Sequence, residues 1–457
     1  MSFPRYESYR HSGSDWLGDV PAHWRSRRLK QIATFTGGGT PSRENLAFWN
    51  GDIPWVSPKD MKGEEVLQSE ECITVSGLQS SATEIVPSGT VLLVVRSGIL
   101  KHTIPVAINR VPVALNQDMK AIRLSEEVCL SSFFQRWVQG LNDSLLLEWS
   151  KQGATVDSIE HAYLAATSIP LPPLPEQEAI CDFLDHETDK IDALIEGQSR
   201  LIELLQEKRQ ALISQAVTKG LNSNVRMKSS GVDWLGEVPE HWEVTQLRRV
   251  AREGTSITYG IVQAGPDIEG GIPYIRASDM AGDQLPSDGY LRTSPEIDAA
   301  YARSKVSAGD LVIAIRATIG KPLIIPSFLD GANLTQGTAK FSPGPSVLAE
   351  FFFYFLRSSP AMGQFERLGK GATFKEITLE MLRKFQVLRP PLDEQRQIAD
   401  LLNSKTAQLD RLISEAERAI ALLQERRVGL ISAAVTGKID VRGFVKAATA
   451  VPDVVAA

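Results

Sequence analysis

Hydrophobic positions recur along this chain in two rhythms, and each rhythm occurs twice. After Pro172-Pro173-Leu174-Pro175-Glu176-Gln177, positions seven apart read Leu184, Ile191, Gln198, Leu205 and Leu212. A companion register reads Ile180, Glu187, Leu194, Leu201 and Lys208. The stretch returns 218 residues later after Pro390-Pro391-Leu392-Asp393-Glu394-Gln395, with Leu402, Leu409, Ala416, Leu423 and Leu430 in the first register. An apolar repeat kept for about five heptads predicts coiled coil rather than an ordinary surface helix. Paired prolines bar helix before Leu174 and Leu392, and Gly220 and Gly437 stand where a helix C′ glycine would. Ile195, Ile202, Ile413 and Ile420 make the stripe wider than a two-stranded seam needs, which predicts a further partner against that face.

The second rhythm is that of strands. Gly89 to Arg96 and Gly309 to Arg316 are continuous β-branched and apolar runs, the mark of a strand buried on both faces. Gly51 to Val56, Val106 to Ile108 and Met119 to Leu124 are further strands in the first half, with Gly271 to Ile275 matching the first of these in the second half. Leu130 to Trp137, Leu145 to Trp149 and Glu350 to Leu356 read as helix. Each half opens on one turn, Asp15-Trp16-Leu17-Gly18 to His23-Trp24 and Asp233-Trp234-Leu235-Gly236 to His241-Trp242, a compact latch held by aromatic anchors or a partner contact.

Internal repeats dictate architecture before any single motif does. The predicted fold class is α/β (α+β): two domains in tandem, joined by two long helices that form an antiparallel coiled coil. The boundaries are 1–171 for the first domain, 172–221 for the central helix, 222–389 for the second domain, 390–443 for the C-terminal helix and 444–457 for a frayed tail. About 43 helical residues at 1.5 Å each make a rod of roughly 65 Å. An antiparallel pairing sets the domains at its two ends, a caliper suited to duplex half-sites about 34 Å apart. The early loops diverge most: Gly37-Gly38-Gly39-Thr40-Pro41-Ser42-Arg43 has no resembling counterpart beside Thr255 to Gln263.

Composition changes this picture little. The 457 residues carry a net charge of −6. Acid is concentrated at 175–222, with 5 Lys/Arg against 10 Asp/Glu; the segments 25–170 and 244–388 are near neutral. Any nucleic-acid binding must come from local arrangement, not from a basic tail. The absence of a signal-peptide h-region, of an apolar run long enough to span a membrane, and of any CxxC among Cys72, Cys129 and Cys181 points to a cytoplasmic, reduced protein without membrane contact.

No catalytic pattern emerges. There is no Gly-x-Gly-x-x-Gly, and Gly369-Lys370-Gly371 lacks the first glycine and the Ser/Thr of a phosphate loop. The six histidines form no HxxxH, and His23 and His241 suit a structural hydrogen bond better than a metal. The chain reads as a non-catalytic recognition subunit.

With these motifs together, the sequence resembles the specificity (S) subunit of type I restriction–modification systems. The resemblance rests on the Pro-Pro-Leu-x-Glu-Gln openings, the Leu-Ile-Ser-x-Ala-Val-Thr closings at Leu212 and Leu430, and the Asp-Trp-Leu-Gly turns. It implies two target-recognition domains, each reading half of a bipartite, interrupted site in double-stranded DNA. It also implies a coil that sets the gap and docks two modification subunits, with restriction (nuclease/translocase) subunits joining later. This chain would bind no cofactor; S-adenosylmethionine, ATP and Mg would belong to the partners. The tetrapeptide repeat by which some members tune spacing is absent. The other reading is a coiled-coil assembly protein that does not read DNA.

Base reading needs polar side chains on loops, and phosphate contacts draw on Lys, Arg, Ser and Thr. Candidates in the first domain are Thr40, Ser42, Arg43, Lys59, Arg96, Ser97, Lys101, His102, Asn116, Gln117, Lys151 and Thr155. Asn116-Gln117 suits bidentate pairing with adenine or a satisfied turn. In the second domain they are Tyr259, Gln263, Arg276, Arg316, Thr318, Lys321, Gln336, Lys370, Thr373 and Lys375. Arg96 and Arg316 hold equivalent positions, which favours phosphate anchoring or a structural ion pair. Arg43 and Gln263, each without a counterpart, are the better candidates for specificity.

Overall fold

Two prolines followed by runs rich in helix formers, broken by Pro175 in a first turn, where proline is tolerated, and by Gly197 and Gly429, give the longest elements of the chain, helices Leu174–Lys219 and Leu392–Val435, of 46 and 44 residues. Both end at a glycine in the left-handed region, Gly220 at φ 75° and Gly437 at φ 73°. The structure is a computed structural model and describes residues 3–150, 157–316, 318–369 and 376–444. Lys151, Thr155, Lys370, Thr373, Lys375, the last two residues of the Gly-Lys-Gly near-motif and the tail from 445 onward lie outside the described residues.

The chain divides into two compact units, Met1–Gln198 with Arg418–Ala457, and Ser199–Glu417. Each unit therefore combines one α+β domain, the near part of one long helix and the far part of the other. In unit 1 a five-stranded sheet runs in the order Ala33–Gly37, Met119–Leu124, Val91–Val94, Val106–Asn109, Glu65–Val66. A three-stranded sheet (Ala114–Leu115, Trp49–Val56, Glu71–Ile73) and two ribbons, Ser168–Leu171 with Arg25–Arg28 and Tyr9–His11 with Asp19–Pro21, accompany it. Unit 2 repeats the plan with four strands, Thr258–Tyr259, Thr338–Phe341, Leu311–Ala314 and Pro322–Ile324. Its other sheets are Arg292–Thr293, Ile272–Ile275 and Asn333–Leu334, the pair Glu243–Gln246 with Gln386–Arg389, and the pair Met227–Ser229 with Glu237–Pro239.

The apolar runs explain the layering. Val91 and Leu93 face a core shared with helix Ser131–Gly140 and the long helices, while Leu92 and Val94 face a second core with Val56, Val66 and Val86. Leu311 and Ile313 against Val312 and Ala314 repeat the division in unit 2. Cys129 and Cys181 are buried and Cys72 is half-buried; burial pushes the Cys181 thiol up to about 11 and the Cys129 thiol higher still.

Within each unit the long-helix segments run antiparallel. In unit 1 Phe183 meets Phe444 edge to face at 5.3 Å, and farther along Asp192 pairs with Arg427 at 3.0 Å. In unit 2 Arg209 pairs with Asp410 at 3.1 Å, while Ile213 and Val217 share a core with Ile398 and Leu402. The predicted seam residues Leu184, Ile191, Leu205, Leu402, Leu409 and Leu430 are buried, and Leu212 and Leu423 are half-buried. The companion register needs correction. Leu194 and Leu201 are 55% and 42% exposed, and the inner face is carried instead by Ile195 and Ile202, one position later. The cause is the 3.6-residue turn: beside a straight stretch of helix the apolar stripe drifts off a strict seven-residue repeat.

The Glu-Gln of each opening motif joins helix to domain. Glu176 is buried and accepts hydrogen bonds from the Tyr6 hydroxyl (2.7 Å) and the Trp24 indole (2.9 Å), with His23 at 2.8 Å. Burial, then the bond to Glu176, raises the Tyr6 phenol well above its ordinary value. Glu394 takes Trp242 at 2.8 Å and His241 at 2.6 Å. Gln177 accepts from the Leu130 N–H and donates to the carbonyls of Val128 and Pro172, all at 2.9 Å. Gln395 repeats this with Leu348, Ser346 and Pro390. The Trp-containing turns are thus structural latches, and both histidines serve as hydrogen-bond partners.

Candidate nucleic-acid interface

Where the central strands of each unit begin, the chain builds the same edge from dissimilar sequences. In unit 1 strand Ala33–Gly37 pairs with Met119–Leu124, setting Gly37 opposite Lys120; in unit 2 Tyr259 stands opposite Ala339. The chain then crosses over the preceding turn. The Gly39 N–H donates to the Leu115 carbonyl at 2.9 Å, and the Ile261 N–H to the Leu334 carbonyl at 2.6 Å. The crossing demands glycine: a Cβ on Gly38 would stand 1.9 Å from the Asn116 carbonyl oxygen, and one on Gly260 1.8 Å from that of Leu334. Gly38 and Gly260 are therefore equivalent, although the surrounding loops look unrelated. The close approach these glycines permit is to the chain's own backbone.

On this frame the predicted residues fall into place unevenly. Asn116 is buried and its side-chain oxygen accepts the Asp118 N–H at 3.0 Å, while Gln117 is exposed and receives the Thr40 hydroxyl. In unit 2 Thr335 and Gln336 form the corresponding turn, and the Gln336 N–H donates to the Ile261 carbonyl at 3.1 Å. Gln117 and Gln336 thus share one position. Arg96 leaves the buried strand to pair with Asp118 at 3.1 Å, and Arg316 pairs with Glu376 at 3.0 Å. Each arginine also bridges a returning segment, at Ser158 and Glu376. The two arginines stand at the same place in the fold and are part-exposed, but their carboxylates come from different segments: Asp118 from the turn after Gln117, Glu376 from the returning segment where unit 1 has Ser158.

Arg43 is held more firmly than its loop suggests. Its guanidinium forks onto Glu71 and lies over Trp49, 4.0 Å from the ring centroid, and Trp55, 5.1 Å. The hydrogen bond to Arg43 keeps the Glu71 carboxyl below its ordinary range. Ser42 is exposed and its carbonyl accepts the Trp49 indole N–H at 3.0 Å. Lys59 is exposed on the short turn Pro58–Asp60; Ser97 caps the turn Gly98–Lys101, at whose end Lys101 and His102 are exposed. In unit 2 Tyr259, Gln263 and Thr318 are exposed, Arg276 is bound to Asp279 at 2.8 Å, and Lys321 donates to the Ala281 carbonyl at 2.6 Å.

Sequence reasoning missed the carboxylates that hold the arginines: Glu71, Asp118 and Glu376 are distant in sequence from their partners. Asp279, three residues after Arg276, was the readable exception. Also missed was Lys120, with its amine 3.3 Å from the His161 ring beside Phe35. Burial lowers the Lys120 amine; burial and Lys120 together lower His161.

The fold and edge define a class: a duplicated α+β domain mounted on long paired helices. The profile of the family described as type I restriction modification DNA specificity domain matches residues 21–204 and again 239–420, and the chain belongs to that family. It is 38% identical over 185 residues to the EcoR124I/EcoR124II specificity subunit of Escherichia coli, covering 40% of this chain and 45% of that protein. The first of these alignments therefore spans less than half the relative's length. The EcoBI specificity subunit of Escherichia coli is 27% identical, with 72% of this chain and 70% of that protein covered. The MjaVIII specificity subunit of Methanocaldococcus jannaschii is 26% identical, with 93% and 95% covered. A chain solved in work on complex assembly and conformational transition of the type I R-M system shares the fold at TM-score 0.70 and 17% identity, with 92% of this chain and 99% of that chain covered. The HsdS subunit from Thermoanaerobacter tengcongensis does so at 0.51 and 16%, with 92% and 98% covered.

Proposed function

We propose that this chain is the non-catalytic DNA-specificity subunit of a type I restriction–modification complex. Each α+β domain reads one half of a bipartite site, and the paired helices set the gap and dock the modification subunits. The supporting observation is the repeated edge: one backbone frame, crossed by a glycine at 38 and at 260, carries different side chains in the two units. That is what two readers of different half-sites require. Gln117 with Thr40, and Gln336 with Tyr259 and Gln263, are the readers on this frame, because amides and hydroxyls carry the hydrogen-bonding patterns of base edges. Arg96 and Arg316, at matching places and each tied to a carboxylate, suit phosphate positioning. The apolar side chains exposed on the long helices, Leu194, Leu201, Leu204, Leu412, Leu422 and Val428, supply contact area for modification subunits. S-adenosylmethionine, ATP and Mg belong to the partner subunits, and restriction subunits complete the complex.

Sequencing of methylated adenines in a host expressing the complex tests this. The expected result is a bipartite motif that disappears when this chain is deleted. Gln263→Ala relaxes one position of one half, a change of about 1–3 kcal/mol in discrimination, whereas Arg316→Ala lowers modification of all sites alike. Absence of any motif dependent on this chain would leave the assembly-protein reading.

A further inference from the structure

A basic groove in unit 1 has no part in the reading edge. Strand Arg25–Arg28 carries three exposed arginines and is followed by exposed Lys30. Alternation sends Arg25 and Arg27 to one face, where they line an open groove of about 640 Å³ with His23, Gln31 and Pro173. Glu127 is the carboxylate in its wall. His23 is engaged by Glu176; Arg25, Arg27, Arg28 and Lys30 enter no ion pair among the described residues. The fold does not require this charge, since Glu243, Thr245 and Gln246 stand at the matching places in unit 2, with Glu243 neutralised by Arg389. A cationic row left unpaired in a protein of net charge −6 calls for an anionic partner.

The shape of the groove decides which anion. It lies beside Ile32, at the end of strand Ala33–Gly37 away from the Gly38–Thr40 crossing, about six residues or 20 Å distant. Its walls are partly apolar, with Val128, Leu171 and Leu174 among them. A concave, half-apolar wall rimmed by arginine side chains matches an extended acidic polypeptide, not a rigid duplex. We propose that this groove takes an extended acidic segment of a partner protein, its carboxylates on Arg25 and Arg27 and its apolar side chains against Val128, Leu171 and Leu174.

Fluorescence anisotropy of labelled polyglutamate with the full chain tests this. Wild type is expected to bind in a salt-sensitive manner, with Arg25→Glu/Arg27→Glu weakening binding about tenfold or more and Arg25→Gln/Arg27→Gln giving an intermediate loss. The Gln pair, matched to wild type in melting temperature, separates lost charge from lost fold. The same variants should bind a duplex oligonucleotide as wild type does. Unchanged polyglutamate binding by both variants overturns the proposal, and so does a fall in duplex binding with polyglutamate unaffected, which makes the groove a phosphate site. Polyglutamate binding is independent of base reading, so a chain that recognises no DNA motif can still pass this test.

Discussion

At the scale of single residues, the chain spends its buried polar groups on fastening rather than on chemistry. Glu176 carries two hydrogen bonds from Tyr6 and Trp24 in a dry setting, and removing it strands both donors. Glu176→Ala is expected to cost unit 1 about 2–4 kcal/mol in calorimetric unfolding. Glu394→Ala costs less, because its site is more exposed and no tyrosine joins it. Glu64 behaves differently. Burial alone would raise its carboxyl, but Arg136 (2.7 Å) and Arg427 (3.0 Å) outweigh that and hold it below the ordinary glutamate value. A carboxyl depressed in the folded state adds stability that is complete above the unfolded pKa, about 4.3. That stability is lost as pH falls from there through the folded pKa. Glu64→Gln should therefore flatten the acid limb of a melting-temperature profile below about pH 4.3 and leave that limb's neutral plateau lower. None of these partnerships was legible in the sequence, because a carboxylate and an arginine tens or hundreds of residues apart give no periodic signal. The Glu-Gln motif was legible as a repeat, but what its side chains reach is set by tertiary packing.

At the scale of elements, periodicity read the fold well and failed at one register. Strand Val91–Val94 follows from a continuous apolar run and Met119–Leu124 from apolar positions spaced by Lys120 and Arg123, and both long helices begin where paired prolines end. The glycine crossing at 38 and 260 was hidden, since its requirement is a close approach to a turn that follows far along the chain. The repeat also reuses positions with new chemistry. Arg136 pairs with Asp185 at 2.8 Å in unit 1, and the matching Tyr354 donates to Asn403 at 2.7 Å in unit 2. An ion pair and a neutral hydrogen bond thus perform one fastening between domain and helix. The helix register makes a direct test. Leu402 is fully buried and Leu412 is 47% exposed on the same helix. Leu402→Ala should cost about 2–5 kcal/mol through lost burial and the cavity left behind, while Leu412→Ala should stay within about 0.5 kcal/mol. Equal losses in urea titration would restore the strict heptad reading.

At the scale of the whole molecule, sequence order and structural unit part company. The last segment of the chain belongs to the unit that holds the first. Leu430, Ile431, Ala434, Val435 and Val441 are buried in the core that contains Trp24, Trp137 and Leu184. The Tyr9 hydroxyl donates to the Gly437 carbonyl at 3.1 Å, and the Asp440 N–H to that of Pro4 at 2.8 Å. Unit 2 draws its core from between, with Ile213 and Val217 from one helix and Ile398 and Leu402 from the other. A stop codon after Glu417 thus removes none of unit 2 and a wall of unit 1. Four apolar side chains of Val, Leu or Ile size and Ala434 leave that core, at about 1.5–3 kcal/mol for each fully buried one of Val, Leu or Ile size, a loss comparable with the whole stability of a domain. Hydrogen exchange of the truncated chain should therefore show lost protection in strands Val91–Val94 and Met119–Leu124, with Leu311–Ala314 and Thr338–Phe341 still protected. Loss confined to unit 2, the nearer neighbour in sequence, would mean that each domain closes its core with its own following helix alone.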